Sequence, residues 1–296
     1  MPDMKNIHIS GFSDEISSDL ETQLKTVKEL GMEYVSLRGV GNKNICDFSV
    51  PEVQEQIKPL LDRYQIKVSS IGSPIGKIFA DDEAGFEQQI QMSKRIAKIT
   101  KLLDCTYVRV FSFYIPKGDL PRRWHGIIIE KLKIIVEIFH AENLTLLHEN
   151  EKDIYGDTAL RCKNLFNSIN SSNFRGIFDF ANFVQCGEDP ITCYQLLKPY
   201  IAYFHIKDAI STNRENVLCG AGEGKIKEIL KQAISEGYEG YLTLEPHLVL
   251  FDSLQSLELG KPEHIIRQSK AKNGREAYAM QYQALQRILL GVKWSQ

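Results

Sequence analysis

No stretch of the 296-residue sequence approaches the ~18 consecutive apolar residues of a membrane-spanning helix. The polar opening Met1-Pro2-Asp3-Met4-Lys5-Asn6 has no apolar signal core behind it. A cytoplasmic protein without a membrane partner is expected. Surplus positive charge is also absent, because 36 Lys and Arg stand against 38 Asp and Glu for a formal charge of −2. That balance gives no net attraction to nucleic acid. Cysteine is sparse: Cys46, Cys105, Cys162, Cys186, Cys193 and Cys219 are scattered and never form a C-x-x-C pair. Reduced thiols with no metal or disulfide role are expected. Low-complexity segments and Pro/Gly-rich linkers are missing too, so residues 1–296 are read as one domain although ~150 residues per domain would allow two.

What the sequence does have is a rhythm. Apolar runs rich in Val, Ile, Tyr and Phe alternate with amphipathic stretches, the pattern of repeated β-α units on a parallel sheet. Eight strands are predicted: Ile7-Phe12, Tyr34-Val40, Lys67-Ile71, Tyr107-Phe113, Thr145-Glu149, Gly176-Phe180, Ala202-Ile206 and Tyr241-Glu245. In the first helix Leu20, Leu24, Val27 and Leu30 recur at helical spacing, Ser18-Asp19-Leu20-Glu21 fits a capping box, and Gly31 closes it. Further helices are predicted at Pro51-Tyr64, Ala84-Leu103, Leu120-Ala141, Thr158-Asn170, Pro190-Leu197, Gly224-Ser235 and Arg275-Leu290. Eight strands with eight helices predict an α/β fold of the (β/α)₈ TIM-barrel type. Phe251-Asn273 lacks periodicity and is read as an excursion over the mouth of the barrel.

In such a barrel the chemistry sits at the carboxyl ends of the strands. Four successive strands here end in His148-Glu149-Asn150, Phe178-Asp179-Phe180-Ala181-Asn182, His205-Ile206-Lys207-Asp208 and Leu244-Glu245-Pro246-His247. Glu149, Asp179, His205 and Glu245 lie 30, 26 and 40 residues apart, which is one β-α unit each time. Side chains alternate along a strand, so Leu147, Ile177, Tyr203 and Thr243 should point the same way two residues lower, as an apolar plug beneath the four. Three carboxylates and one imidazole make a hard site suited to one divalent ion, Mn²⁺ or Mg²⁺ first, with Co²⁺ or Zn²⁺ tolerated. For each residue alone there is a plain structural alternative: a carboxylate at a strand end can cap a helix or join a salt bridge, and a His can pack in the core. Recurrence at four matching strand ends is what favours the metal reading.

The motifs His148-Glu149-Asn150, Phe178-Asp179 with Asn182, His205-Ile206-Lys207-Asp208, Gly220-Ala221-Gly222-Glu223-Gly224 and Leu244-Glu245-Pro246, in this order, resemble the xylose isomerase-like TIM-barrel superfamily, the sugar phosphate isomerase/epimerase family. The resemblance implies a divalent metal held by Glu149, Asp179, His205 and Glu245, and a small carbohydrate substrate. It further implies that Glu149 and Glu245 are the acid/base pair of an isomerase or epimerase, exchanging the proton next to a carbonyl through a metal-stabilised enediolate. Many relatives carry His where this chain has Asn182, and a Glu near the end of the second strand, where this chain reads Tyr34-Val35-Ser36-Leu37-Arg38.

Arg38, Lys77, Arg109, Asn182 and Lys207 are candidates to grip substrate, with surface ion pairing the alternative for Arg38, Lys77 and Arg109 and a barrel-to-helix salt bridge the alternative for Lys207 and Asp208. Ser13-Asp14-Glu15 is read as a polar loop entering a helix, His148 and His247 as packing or supporting residues, and Trp124-His125 receives no catalytic role. A metal-dependent lyase or hydrolase of a keto-sugar or glycoside is the rival function, since it can begin with the same proton removal. A nuclease with several metals fits poorly with only seven histidines, and a non-catalytic sugar-binding barrel would leave the two glutamates unexplained. A homo-oligomer is compatible with the sequence.

Overall fold

The apolar runs pair side by side as parallel strands in the computed structural model, which describes residues 6–41, 43–251, 266 and 269–294. The strands are β1 (Ile7–Gly11), β2 (Tyr34–Leu37), β3 (Lys67–Ile71), β4 (Tyr107–Val110), β5 (Thr145–Glu149), β6 (Phe174–Asp179), β7 (Ile201–Ile206) and β8 (Gly240–Leu244). Hydrogen bonding runs in sequence order from β2 to β8 and returns from β8 to β1. Between β1 and β2 the contact is an isolated parallel bridge, Phe12 to Ser36, so the barrel is nearly closed. The fold is a (β/α)₈ barrel, as the strand count predicts.

Helices α1 (Leu20–Glu29), α2 (Lys58–Tyr64), α3 (Glu83–Leu102), α4 (Pro121–His140), α5 (Ala159–Ile169), α6 (Phe180–Gln185), α7 (Pro190–Leu197), α8 (Ile226–Ser235) and α9 (Gly274–Trp294) accompany the sheet. Asp19 rather than Ser18 caps α1, accepting the Thr22 amide at 2.8 Å, because the helix begins one residue later than the capping-box pattern suggests. Ahead of α2 the turn Val50–Glu52 passes through a π-turn, Val53–Ile57, where the Lys58 amide reaches back five residues to Val53 O. Pro59 follows directly and has no amide to offer, which explains a local departure from α-helical pairing.

Five strands end earlier than expected, β1 at Gly11 and β8 at Leu244 by one residue each and the other three for local reasons. β2 stops at Leu37 because Gly39–Val40 pairs with Lys43–Asn44 in a small ribbon. β4 stops at Val110 because the amides of Phe111 and Phe113 turn to Ile75 O and Gly76 O in the preceding loop. β6 stops at Asp179 because Phe180 opens α6. Most of the excursion expected over Phe251-Asn273, like the opening Met1-Lys5, lies outside the described residues.

Below the mouth, Leu147, Ile177 and Tyr203 pack together inside the barrel, with Tyr107 and Tyr241 against them. The expected apolar plug is only half apolar. On the β1 to β3 side the interior carries Ser10, Ser36, Ser69 and Ser70, and the Tyr203 hydroxyl gathers Ser69 (2.9 Å), Ser70 (3.1 Å) and Thr243 (2.6 Å). Small hydroxyl residues leave room for the large Tyr203 ring, and the network supplies the hydrogen bonds that buried hydroxyls require. No helix among the described residues is long and apolar enough to cross a membrane.

Candidate metal centre

The barrel brings Glu149, Asp179, His205 and Glu245 to one point. Each offers a donor atom, and all four donors lie within 4.8 Å of one another with every residue buried. Strand ends do the positioning: Glu149 ends β5, Asp179 ends β6, and Glu245 follows β8. Adjacent-strand register pairs Asp179 with His205. His205 Nδ1 is 2.8 Å from Glu149 Oε1 and 3.6 Å from Glu245 Oε2.

Asp179 divides its carboxylate between structure and site. Oδ1 accepts the Asn182 amide at 2.8 Å and so caps α6. Oδ2 is buried without a hydrogen bond among the described residues, with the Lys207 ammonium beside it at 3.1 Å. An oxygen left in that state among three other donors, in a set of carboxylates and imidazole, fits a hard divalent cation. The four side chains would hold such an ion.

Cations surround the donors. Arg109 Nη1 lies 3.2 Å from Glu149 Oε2, and Lys207 Nζ donates to Glu245 Oε2 at 3.1 Å. Arg38 spends its guanidinium on three carboxylates: Nε on Asp14 Oδ2 (2.9 Å), Nη1 on Glu245 Oε1 (2.9 Å) and Nη2 on Glu15 Oε1 (3.3 Å). Both guanidinium groups rest against the buried Phe12 ring, 4.2 Å from its centroid for Arg38 and 4.9 Å for Arg109. Lys77 pairs with Glu151 at 3.3 Å over the Phe111 ring. None of these is a surface ion pair, the alternative that the sequence leaves open.

Electrostatics follow from burial set against these partners. Burial pushes the Glu245 carboxyl up, but Lys207, His247, His205 and Arg38 outweigh it and hold the group well below the usual carboxylate range. Burial also opposes ionisation of Glu149, and His205 with Arg109 brings its pKa below the ordinary value. For Asp179 burial wins over Lys207, and its pKa rises well above normal. Lys207 is disfavoured as a cation by burial, yet Asp179, Glu245, Glu151 and Glu149 raise it well above the usual lysine value. Burial lifts Glu15 to about 8 against the pull of Arg38.

Asn182 donates its side-chain amide to Asn150 O at 2.8 Å, while its Oδ1 is buried without a partner among the described residues. Asn150 in turn exchanges two hydrogen bonds with the Asp179 backbone, at 2.9 and 3.0 Å, which ties the ends of β5 and β6 together. His148 packs between Phe166 and Phe174 and is held down to about 3 by burial. His125 bridges the Tyr155 hydroxyl (2.7 Å) and Ser168 (3.1 Å) away from the donor cluster.

The Gly220-Ala221-Gly222-Glu223-Gly224 loop wraps Asp208. The amides of Gly220, Gly222, Gly224 and Ala209 donate to its carboxylate at 2.8 to 3.0 Å. Asp208 thus orients this loop and does not form the barrel-to-helix salt bridge left open as its alternative, and the contact explains the glycines, since a Cβ at Gly222 would stand 2.4 Å from Asp208 Oδ1 and 2.5 Å from Ala209 O.

The sequence reading of Ser13-Asp14-Glu15 as a polar loop entering a helix undervalues Asp14 and Glu15. Both are buried in the 3₁₀ turn Ser13–Glu15 and face Arg38, rather than forming a solvated loop. Their position just after β1, on the mouth side of a barrel, was the available signal.

A nearly closed (β/α)₈ barrel with hard donors at the carboxyl ends of β5 to β8 defines a class of barrels with a cluster that could hold a metal ion at the mouth. Within it, this chain belongs to the xylose isomerase-like TIM barrel family, whose sequence model matches residues 24–269. A 3-dehydroshikimate dehydratase of Bacillus anthracis is 21% identical over 185 residues, which is 62% of this chain and 65% of that relative. The aligned part thus spans just under two thirds of the relative. Among solved structures, a D-tagatose 3-epimerase-like protein is similar with a TM-score of 0.74 at 18% identity, covering 97% of this chain and 99% of that one. The IOLI protein with a bound zinc atom superposes with a TM-score of 0.74 at 17% identity, covering 96% and 99%. The similar proteins thus include a dehydratase by sequence and an epimerase-like protein by fold.

Proposed function

We propose that this chain is a divalent-metal-dependent isomerase or epimerase of a sugar or sugar derivative, moving the proton on the carbon next to a carbonyl. The reading is carried by one observation, the four donors of Glu149, Asp179, His205 and Glu245 within 4.8 Å at the mouth of the barrel. Mn²⁺ or Mg²⁺ suits the three carboxylates best, and Zn²⁺ or Co²⁺ is compatible with the imidazole. Such an ion, when bound, supplies Lewis-acid polarisation of the carbonyl, without which a carbohydrate C–H is too weak an acid for a carboxylate to deprotonate efficiently.

The remaining work belongs to side chains. Glu149 and Glu245 stand three strands apart and act as the pair that takes and returns the proton. Arg109 and Lys207 neutralise these carboxylates and, with Lys77 and the free Oδ1 of Asn182, present donors and an acceptor to substrate oxygens. The dense burial of the site keeps bulk water from competing for the same proton.

Elimination from the same deprotonated carbon is the second reading, and the Bacillus anthracis dehydratase is what favours it. A metal-reconstituted screen of ketoses, their phosphates, keto-glycosides and hydroxylated keto acids in deuterated water separates the two. Deuterium at the carbon beside the carbonyl, without bond cleavage, supports isomerase or epimerase chemistry. Loss of water or of an aglycone supports elimination. Neither exchange nor elimination on any carbonyl substrate would refute both.

A further inference from the structure

A second group of donors shares Glu245 with the first. Glu15, Glu245 and His247 are all buried, and their donor atoms also lie within 4.8 Å of one another. The imidazole is aimed into that group: His247 Nε2 is 3.4 Å from Glu15 Oε1 and 3.6 Å from Glu245 Oε1, yet it makes no hydrogen bond to any described residue. Two carboxylates and an unpartnered imidazole form a credible ligand set for a second divalent ion, with Glu245 as the bridge.

The same two oxygens already have a cation. Arg38 Nη1 is 2.9 Å from Glu245 Oε1, and Arg38 Nη2 is 3.3 Å from Glu15 Oε1. Asp14 fixes the third side of the guanidinium, and Phe12 and Phe251 lie against it at 4.2 and 5.5 Å. The structure assigns Arg38 the part of a fixed cation that fills the Glu15, Glu245 and His247 cluster and keeps the metal centre mononuclear. This inference rests on the metal reading of the first cluster.

Charge balance supports the assignment. Even with Asp14, Glu15, Glu149, Asp179 and Glu245 all ionised, Arg38, Arg109 and Lys207 leave two negative charges, which one divalent ion neutralises. Glu151 lies beyond them and has its own lysines, Lys77 and Lys152. A second divalent ion beside Arg38 would leave two unmatched positive charges in a buried site, and uncompensated buried charge is strongly unfavourable. Removing the Arg38 charge cuts that surplus from two positive charges to one and frees both oxygens for an ion beside His247.

The test is calorimetric titration of the full chain with Mn²⁺ alone, checked by elemental analysis after desalting. Wild type should bind one ion per chain, Arg38→Gln two, and Arg38→Gln with His247→Gln one again; Arg38→Lys, which retains a cation, should stay at one. Two ions in wild type, or one in a folded Arg38→Gln protein, would overturn the assignment of Arg38. No ion in wild type would instead overturn the metal reading of the first cluster. If Arg38→Gln does not fold, His247→Gln in the wild-type background decides: it should leave stoichiometry unchanged and affinity within about threefold, and loss of an ion would overturn the proposal.

Discussion

Asp179 and Asn182 are joined by a 2.8 Å hydrogen bond from the Asn182 amide to Asp179 Oδ1, so the residue that caps α6 also turns its second oxygen toward the donor cluster. Structural and chemical roles are therefore separable by substitution. Asp179→Asn keeps a cap acceptor and removes the charge. Its metal affinity should fall by at least the ~10–100-fold that loss of an outer supporting contact costs, while the metal-free Tm stays within about 2 °C. Asp179→Ala should lose the cap as well, a further ~1 kcal/mol in denaturant unfolding.

Chelation should destabilise the wild-type protein. An ion present at ~100 times its Kd contributes about 2.7 kcal/mol, so removing it should lower Tm by roughly 4 °C in a chain of this length. Asp179→Asn should show little of that difference under the same conditions. A Tm indifferent to chelator in metal-loaded wild type would count against a site that binds only the folded chain.

Glu149→Gln and Glu245→Gln retain an oxygen but lose most of their basicity. With Mn²⁺ at saturation, exchange of the substrate α-proton should drop by ~10²–10⁴-fold in each, with occupancy largely kept. Wild-type exchange in both, fully metallated, would make the glutamates ligands only.

Asp208 gives a stability prediction away from the chemistry. Asp208→Ala strands the amides of Ala209, Gly220, Gly222 and Gly224, and a single unsatisfied buried donor already costs ~1–3 kcal/mol. Urea unfolding should register a loss on the order of 3 kcal/mol or more. Gly222→Ala should cost about 1–3 kcal/mol through its contacts with Asp208 and the Ala209 carbonyl.

The donor cluster was legible because β-α spacing is a one-dimensional signal: it carries Glu149, Asp179, His205 and Glu245 to neighbouring strand ends whatever the loops do. Partnerships across the barrel leave no such mark. Arg38 reads as a cation that could grip substrate or form a surface ion pair until the fold sets it between Asp14, Glu15 and Glu245, the last 207 residues away. Likewise Ser10, Ser36, Ser69 and Ser70 look like weak strand residues until the closed sheet turns them toward Tyr203. Phe180 belongs to a helix because Asp179 caps it, and an apolar run alone does not reveal that stop.

The most direct measurement of the central claim is anomalous diffraction from a crystal of the full chain loaded with Mn²⁺. One peak per chain should lie within about 2.3 Å of a donor from each of Glu149, Asp179, His205 and Glu245. No peak, or a peak seated on Glu15 and His247 with the four-donor cluster empty, would contradict the account.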